Sequence, residues 1–208
     1  MTEDPDLERA YRLAGVDDNR RLYADWAQSY DEDFAENLRY VLPAAVARAI
    51  AEAGGAGPVL DLGAGTGLLG VALAGLGVGP VDATDLSPEM LRMAEAKGVY
   101  RRCFEGNLLE RLPVADGAYA GAVSPGTFTH GHVGPEALDE VLRVVAPGGW
   151  IVLSVNEKHW ESKGFAAAFA AIGGRVDALS LPRVRIYAAE AEGEHAGDTA
   201  VLATFRRT

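Results

Sequence analysis

Three glycines at alternate positions, flanked by one carboxylate and followed by a second, carry the chemistry expected of this chain. The stretch from Pro58 to Gly70 reads PVLDLGAGTGLLG. An apolar run ends in Asp61, then come Gly63, Gly65 and Gly67, and Leu68, Leu69, Val71 and Ala72 recur at helical spacing. A strand, a tight loop and a helix are expected in that order. Glycine permits positive φ and lets a ligand lie against the main chain, and a helix start turns its unpaired N–H groups toward that ligand. Gly63, Ala64, Gly65 and Gly67 are therefore the expected cradle of a nucleotide-like cofactor. Asp61 narrows the choice, because a carboxylate at the strand end repels the pyrophosphate of a dinucleotide but suits a ligand carrying an ammonium and a sulfonium. S-adenosylmethionine meets that description. Gly65-Thr66-Gly67-Leu68-Leu69-Gly70 also satisfies G-x-G-x-x-G, so NAD(P) stands as the competing cofactor on this segment alone, and a glycine-rich turn that holds nothing is the third reading.

The second carboxylate belongs to PVDATDLSPEM, residues 80 to 90. This reads as a short strand with an acid at its end, then Ser87 as N-cap and Pro88 at the first helical position. An acid about 20 residues beyond a glycine loop accepts hydrogen bonds from ribose hydroxyls, and Asp85 is so placed. Asp82 is its rival, but mid-strand it should point away from the pocket of Asp85 or be exposed. Leu86 and Met90 offer apolar surface beside the adenine. Capping of the helix by Asp85 is the plainer alternative.

The string Asp61-x-Gly63-x-Gly65-x-Gly67 resembles motif I of the class I S-adenosylmethionine-dependent methyltransferases. WAQSYDEDF, VLDLGAGTGLLG, DLSPEML and the strand after Pro147-Gly148-Gly149 together resemble the small methyltransferase-like proteins related to the Williams-Beuren syndrome region methyltransferase. The resemblance spans roughly residues 40 to 207. It implies methyl transfer to a small molecule, with an Asp, Asn or Glu beside the adenine amino group. Asn107 matches that position and its amide can both donate and accept; Leu108 would touch the ring, although an Asn after a Gly is also a turn residue. The resemblance further implies that residues 1–40 form a helical lid over a methyltransferase domain of residues 41–208. Helices are expected over about 5 to 14 and from Asp17 to Tyr40; in the second, an aromatic stripe brings Trp26 and Tyr30 toward the acceptor, with core packing as the alternative for either ring.

The elements that must position these groups follow from the punctuation of the chain. Pro43 opens an Ala-rich helix that closes at Gly54-Gly55; strands are expected at 58–62, 80–85, 99–105 and 118–124, with a helix after the glycine loop ending near Gly75. Pro135 starts a helix through EALDEVLRVV, PGG stops it before WIVLSVNE, and a helix of about 158 to 172 follows. The runs 184–189 and 200–206, separated by EAEGEHAGD, read as a hairpin. Strands alternating with helices and closing on a hairpin give an α/β, doubly wound, mostly parallel sheet of seven strands with the last antiparallel.

In such a sheet ligands sit at the carboxyl ends of the strands, so the loop SPGTFTHGHVGP carries the acceptor side. Ser124 is expected at the cofactor, and Thr127, Thr129 and His130 at the acceptor. His130 is the one candidate base, because an imidazole can take a proton from a hydroxyl or amine; an orienting role serves equally where displacement at sulfonium needs no base. His130 and His132 lack a third ligand and make no convincing metal site. Ser124-Pro125-Gly126-Thr127 stands where methyltransferases of amide or exocyclic nitrogens carry Asn/Asp-Pro-Pro-aromatic, which argues against nucleobase or glutamine acceptors.

The chain has 208 residues, 49% of them hydrophobic, enough for one α/β core. With 30 Asp and Glu against 19 Lys and Arg the net charge is −11, and without a basic cluster nucleic acid is not an expected partner. The single cysteine, Cys103, excludes an internal disulfide and fits a reducing compartment, while MTEDPDLERA does not read as a signal peptide, so a cytoplasmic location is expected. The uncharged run 62–81 holds glycines and Pro80 where loops and helix ends fall, so no membrane partner is expected. Three activities stay open at this level: a small-molecule methyltransferase using S-adenosylmethionine, a nicotinamide oxidoreductase, and a non-catalytic S-adenosylmethionine-binding protein.

Overall fold

A computed structural model of the chain describes residues 39–129, 132–191 and 195–208. The helix expected over 5–14 lies outside these residues, as do all but the last two residues of the one expected from Asp17 to Tyr40, and so do Trp26, Tyr30 and His130.

The described chain alternates α1 (Leu42–Glu52), β1 (Val59–Leu62), α2 (Leu68–Gly75), β2 (Val81–Asp85), α3 (Pro88–Ala96), β3 (Arg102–Glu105) and β4 (Tyr119–Phe128). A 3₁₀ turn then leads into α4 (Leu138–Val144), followed by β5 (Val145–Asn156), α5 (Glu157–Lys163), α6 (Phe165–Ala171), β6 (Val176–Ser180), β7 (Arg183–Arg185) and β8 (Thr199–Arg207). The strands form one sheet in the order β3-β2-β1-β4-β5-β8-β6, with β7 also paired to β8. The first five are parallel, and β8 runs antiparallel between β5 and β6. The doubly wound architecture is as expected, with one strand more among the described residues.

Side-chain alternation along the strands divides the core in two. Val59, Val81, Val123 and Val152 face α1 and α2 with Val46, Ile50, Leu69 and Leu73. Leu60, Leu62, Ala122, Ile151, Leu153 and Phe205 face the other way, against Leu138, Val141, Leu142, Phe165 and Phe169 of α4 and α6. Asp61 shares parity with Val59, and Asp85 with Val81 and Ala83, so both carboxylates fall on the α1/α2/α3 face. Asp82 has the opposite parity. It is buried there, bound by the Arg101 guanidinium at 2.8 and 2.9 Å and by the Tyr119 hydroxyl at 2.9 Å, so it turns away from Asp85 as expected but is not exposed.

Five local expectations are corrected. β4 does not stop at Ser124 but continues to Phe128 after a register shift between Ser124 and Phe128, so Pro125 and Gly126 lie within the strand rather than in a loop. The irregularity accommodates a proline that cannot donate to a regular ladder, and the Pro125 carbonyl accepts from Ser154 and Tyr40 hydroxyls instead. The helix expected over 158–172 is broken at Gly164, whose φ of 71° lies in the left-handed region. β3 starts at Arg102 rather than Val99, and β6, which lacks a clear alternating pattern, was not foreseen as a strand. Tyr40 is not helical: it forms an antiparallel bridge with Tyr187. No helix among the described residues is long and apolar enough to cross a membrane.

Candidate functional site

The chain leaves β1 toward α2 on one face and leaves β4 toward α4 on the other, so a crevice opens at the carboxyl ends of these two neighbouring strands. Their ladder ends at the pair Asp61 and Val123. Beyond it hydroxyls replace backbone donors: Ser124 Oγ and Thr127 Oγ1 each donate to the Leu62 carbonyl at 2.8 Å. The glycine loop begins at that carbonyl. Gly63 has φ +67°, and a side chain there would collide with Thr127 Oγ1. Gly65, at φ +54°, has nothing within 4 Å of where a Cβ would sit, so the loop is packed on one side and open on the other. That open side is a cradle a ligand can fill.

Most of the loop's own N–H groups, and one at the start of α2, are already engaged within the fold. The Gly63 and Ala64 N–H groups both donate to the Thr84 carbonyl, at 2.8 and 3.0 Å, and the Gly67 N–H donates to Ala64 at 2.9 Å. The Gly65 N–H donates to Asp85 Oδ2 at 2.8 Å, and the Gly70 N–H to the Tyr100 hydroxyl at 3.0 Å. The loop is thereby stapled to β2. What it offers a ligand is shape and the field of two carboxylates, with the first N–H groups of α2 beside it.

Asp85 ties the two sequence motifs together. Besides Gly65 it accepts the Ser87 N–H on Oδ1 at 2.9 Å, while Ser87 Oγ caps α3 by accepting the Met90 N–H at 3.2 Å. Burial pushes the Asp85 carboxyl up, and the backbone donors pull it back only in part. The Leu86 N–H also bears on it, and a carboxylate has about four lone-pair sites, so with three backbone donors in place Asp85 still has room to accept from a ribose hydroxyl. Asp61 is fully buried; Oδ2 accepts from the Tyr100 hydroxyl at 2.7 Å, and Oδ1 has no partner. Burial raises its carboxyl to about 7, the Tyr100 hydrogen bond opposes that, and the charge of Asp85 adds to it. Two like-charged carboxyls on one face, one of them incompletely bonded, make a site that a cation relieves. An orphaned anion beneath an open glycine cradle fits a cofactor bearing ammonium and sulfonium groups, and opposes a pyrophosphate.

The other expected contacts divide. Leu86 is half-buried beside Asp85. Met90, Ser124 and Leu108 are buried, and the Ser124 hydroxyl is engaged by Leu62, so these three pack beneath the site instead of lining it in this state. Asn107 makes a turn: its Oδ1 accepts the Leu109 N–H at 3.0 Å and its amide donates to Glu110 at 3.2 Å. Thr127 belongs with the glycine loop rather than apart from it, because its hydroxyl packs where a Gly63 side chain would be. Thr129 is half-buried at the end of the same segment, where its carbonyl accepts the His132 N–H. Among the described residues, no group of three or more His, Cys, Asp or Glu is arranged to hold a metal.

Three residues of this region escaped sequence reasoning. Tyr100 lies just before β3 and reaches Asp61; Lys97, at the end of α3, donates to the Thr66 carbonyl at 2.7 Å; and His159 on α5 bonds the Val133 carbonyl through Nε2 at 3.0 Å, holding the segment that leaves β4. A carbonyl only accepts, so Nε2 carries the proton. A signal was available only for Tyr100: a polar-tipped aromatic where β3 begins must find a partner for its hydroxyl when buried.

Comparison with known proteins agrees with this geometry. The family described as "Methyltransferase domain" matches residues 59–149, which covers the glycine loop, Asp85 and β4. Methyltransferase-like protein 27 of Homo sapiens is 32% identical over 157 residues, 72% of this chain and 62% of that protein. Ribosomal protein L11 methyltransferase of Citrifermentans bemidjiense is 36% identical over 107 residues, 47% of this chain and 31% of that protein. The chain thus spans less than two thirds of either relative. Among solved structures, the 1,6-didemethyltoxoflavin-N1-methyltransferase of Burkholderia thailandensis, bound to 1,6-didemethyltoxoflavin and S-adenosylhomocysteine, superposes with a TM-score of 0.64 at 22% identity, over 94% of this chain and 92% of that one. The nicotinamide reading is set aside by these matches together with the orphaned Asp61. These matches, together with the fold, support a class I S-adenosylmethionine-dependent methyltransferase domain in this chain.

Proposed function

We propose that this protein transfers the methyl group of S-adenosylmethionine to a small-molecule acceptor. The observation that carries the reading is Asp61: a buried carboxylate with an unpartnered oxygen, under a glycine cradle that is open at the switch point of the sheet. When bound, S-adenosylmethionine supplies an already activated methyl group. The tasks left to the chain are to hold the donor, align the acceptor and exclude water. Asp85 receives a ribose hydroxyl while its Gly65 and Ser87 bonds fix its position. Asp61 acts on the ammonium and sulfonium through the low-dielectric wall of the loop, and Gly63, Ala64, Gly65 and Gly67 give the ligand its seat. Leu86 and Asn107 flank the base, with Met90, Leu108 and Ser124 supporting from behind.

The acceptor side falls to Thr127, Thr129 and His130, with Trp26 and Tyr30 brought over it by residues 1–40 as a lid on the domain of residues 41–208. Support for a small acceptor comes from the net charge of −11, from Ser124-Pro125-Gly126-Thr127 in place of the amide-methylating tetrapeptide, and from a fold neighbour that is a methyltransferase of 1,6-didemethyltoxoflavin. The same charge disfavours nucleic acid, and the lone Cys103 supports action in the cytoplasm. The test incubates the protein with methyl-labelled cofactor and a metabolite extract. Label in a small organic product is expected; label in protein alone, or none with any fraction, refutes the reading.

A further inference from the structure

Tyr100 takes no part in any motif, yet it occupies the junction of the glycine loop. Its ring packs where side chains on Gly67 and Gly70 would collide with it, so both positions must be glycine for the ring to sit there. Its hydroxyl accepts the Gly70 N–H at 3.0 Å, one of the donors that a helix start leaves without an intrahelical partner, and donates to Asp61 Oδ2 at 2.7 Å. The order of these two bonds is forced. An N–H can only donate, so the phenol must accept there and direct its single proton at Asp61. One side chain thus couples the backbone of α2 to the carboxylate of β1, leaving Oδ1 as the oxygen without a partner.

We propose that Tyr100 is a positioning residue for the cationic cofactor: by bonding Gly70 and Asp61 together it orients the Asp61 carboxylate beneath the glycine loop. This rests on the cofactor reading given above. The surroundings support it, since Tyr100 is the one side chain that donates to Asp61 among the described residues. Asp85 at the end of β2 bears on the Tyr100–Asp61 pair as a repulsive neighbour, the Cys103 thiol on β3 is pushed up by burial and nearby carboxylates and offers no cation, and the Lys97 ammonium at the end of α3 is directed to the Thr66 carbonyl. Burial and Asp61 push the phenol far above its ordinary range, so it remains a donor throughout the working pH range. Removing it leaves Asp61 to be ionised against burial and Asp85 alone.

The test compares Tyr100→Phe, which keeps the ring packing, with the wild type by calorimetric titration from about pH 6 to 9. Two probes are used: S-adenosylhomocysteine, which carries the amino-acid ammonium, and 5′-methylthioadenosine, which lacks it. Loss of a hydrogen bond to a charged group predicts at least a tenfold weaker affinity for S-adenosylhomocysteine near neutrality, partly recovered as pH rises, with methylthioadenosine within about twofold of wild type. Equal S-adenosylhomocysteine affinity at every pH, or equal losses for both probes, overturns the assignment while leaving the cofactor reading intact. Failure of the wild type to bind S-adenosylhomocysteine overturns both. Should Tyr100→Phe not fold, 3-fluorotyrosine at position 100 keeps the shape and strengthens the donor; binding should then extend to lower pH, and an unmoved profile overturns the inference.

Discussion

Replacing Asp61 with Asn should stabilise the cofactor-free protein and cripple its binding, two effects of opposite sign from one charge. The folded-state carboxyl is raised from 3.8 to about 7, chiefly by burial. A raised acid binds its proton more tightly in the folded than in the unfolded chain, so between about pH 4 and pH 7 stability falls as pH rises, and above that window the whole penalty is present. At about 1.4 kcal/mol per pH unit, the part of the window between about pH 5 and pH 7 is worth ~3 kcal/mol. Asn keeps an oxygen to accept from Tyr100 but cannot ionise, so its own stability lacks this slope; its unpartnered amide costs about 1–3 kcal/mol at any pH. The melting temperature of Asp61→Asn relative to wild type should therefore climb by roughly 5–10 °C between about pH 5 and pH 8 for a chain of this size. Scanning calorimetry or fluorescence melts of both proteins, without ligand, read it directly. Titration of S-adenosylhomocysteine into the same samples should show weaker binding by the variant, most clearly above pH 7. A melting-temperature difference that does not change with pH refutes the argument, because the penalty assigned to Asp61 is electrostatic and a packing defect would not titrate.

Asp85→Ala removes the ribose acceptor and also the anchor of Gly65, so affinity for S-adenosylhomocysteine should fall at least tenfold, by roughly 1.5–3 kcal/mol per lost bond to a carboxylate, together with a lower melting temperature. Unchanged affinity by calorimetry would move the ribose contact to another group; Asp82, held by Arg101 and Tyr119 on the opposite face, is not available for it. His130→Ala distinguishes the two roles open to that residue: loss of a base depresses turnover by roughly two to four orders of magnitude with cofactor binding intact, whereas loss of an orienting group mainly weakens acceptor binding. Full activity of that variant on the identified acceptor removes His130 from the site.

Local chemistry was legible in the sequence wherever one residue type alone suits a backbone state. Ser87 and Pro88 announce the start of α3, Pro43 that of α1, and the alternate glycines the positive-φ turn after β1, because caps, prolines and glycines act within a few residues and need no partner from elsewhere. Alternation did the same for Asp82, whose parity within β2 already turned it from Asp85. From these, the α/β class, the cofactor and the two carboxylates followed. Only the tertiary structure decided where the loop's donors go and what Asp61 experiences. The Thr84 carbonyl and the Tyr100 hydroxyl reach the glycine loop from segments distant in sequence, and burial by two helices and a sheet is a property of no single segment. The same holds for the extension of β4 past Pro125: its carbonyl is satisfied by Ser154 and Tyr40, residues that the fold alone brings beside it, so a local rule against proline in strands gave way to a long-range hydrogen bond.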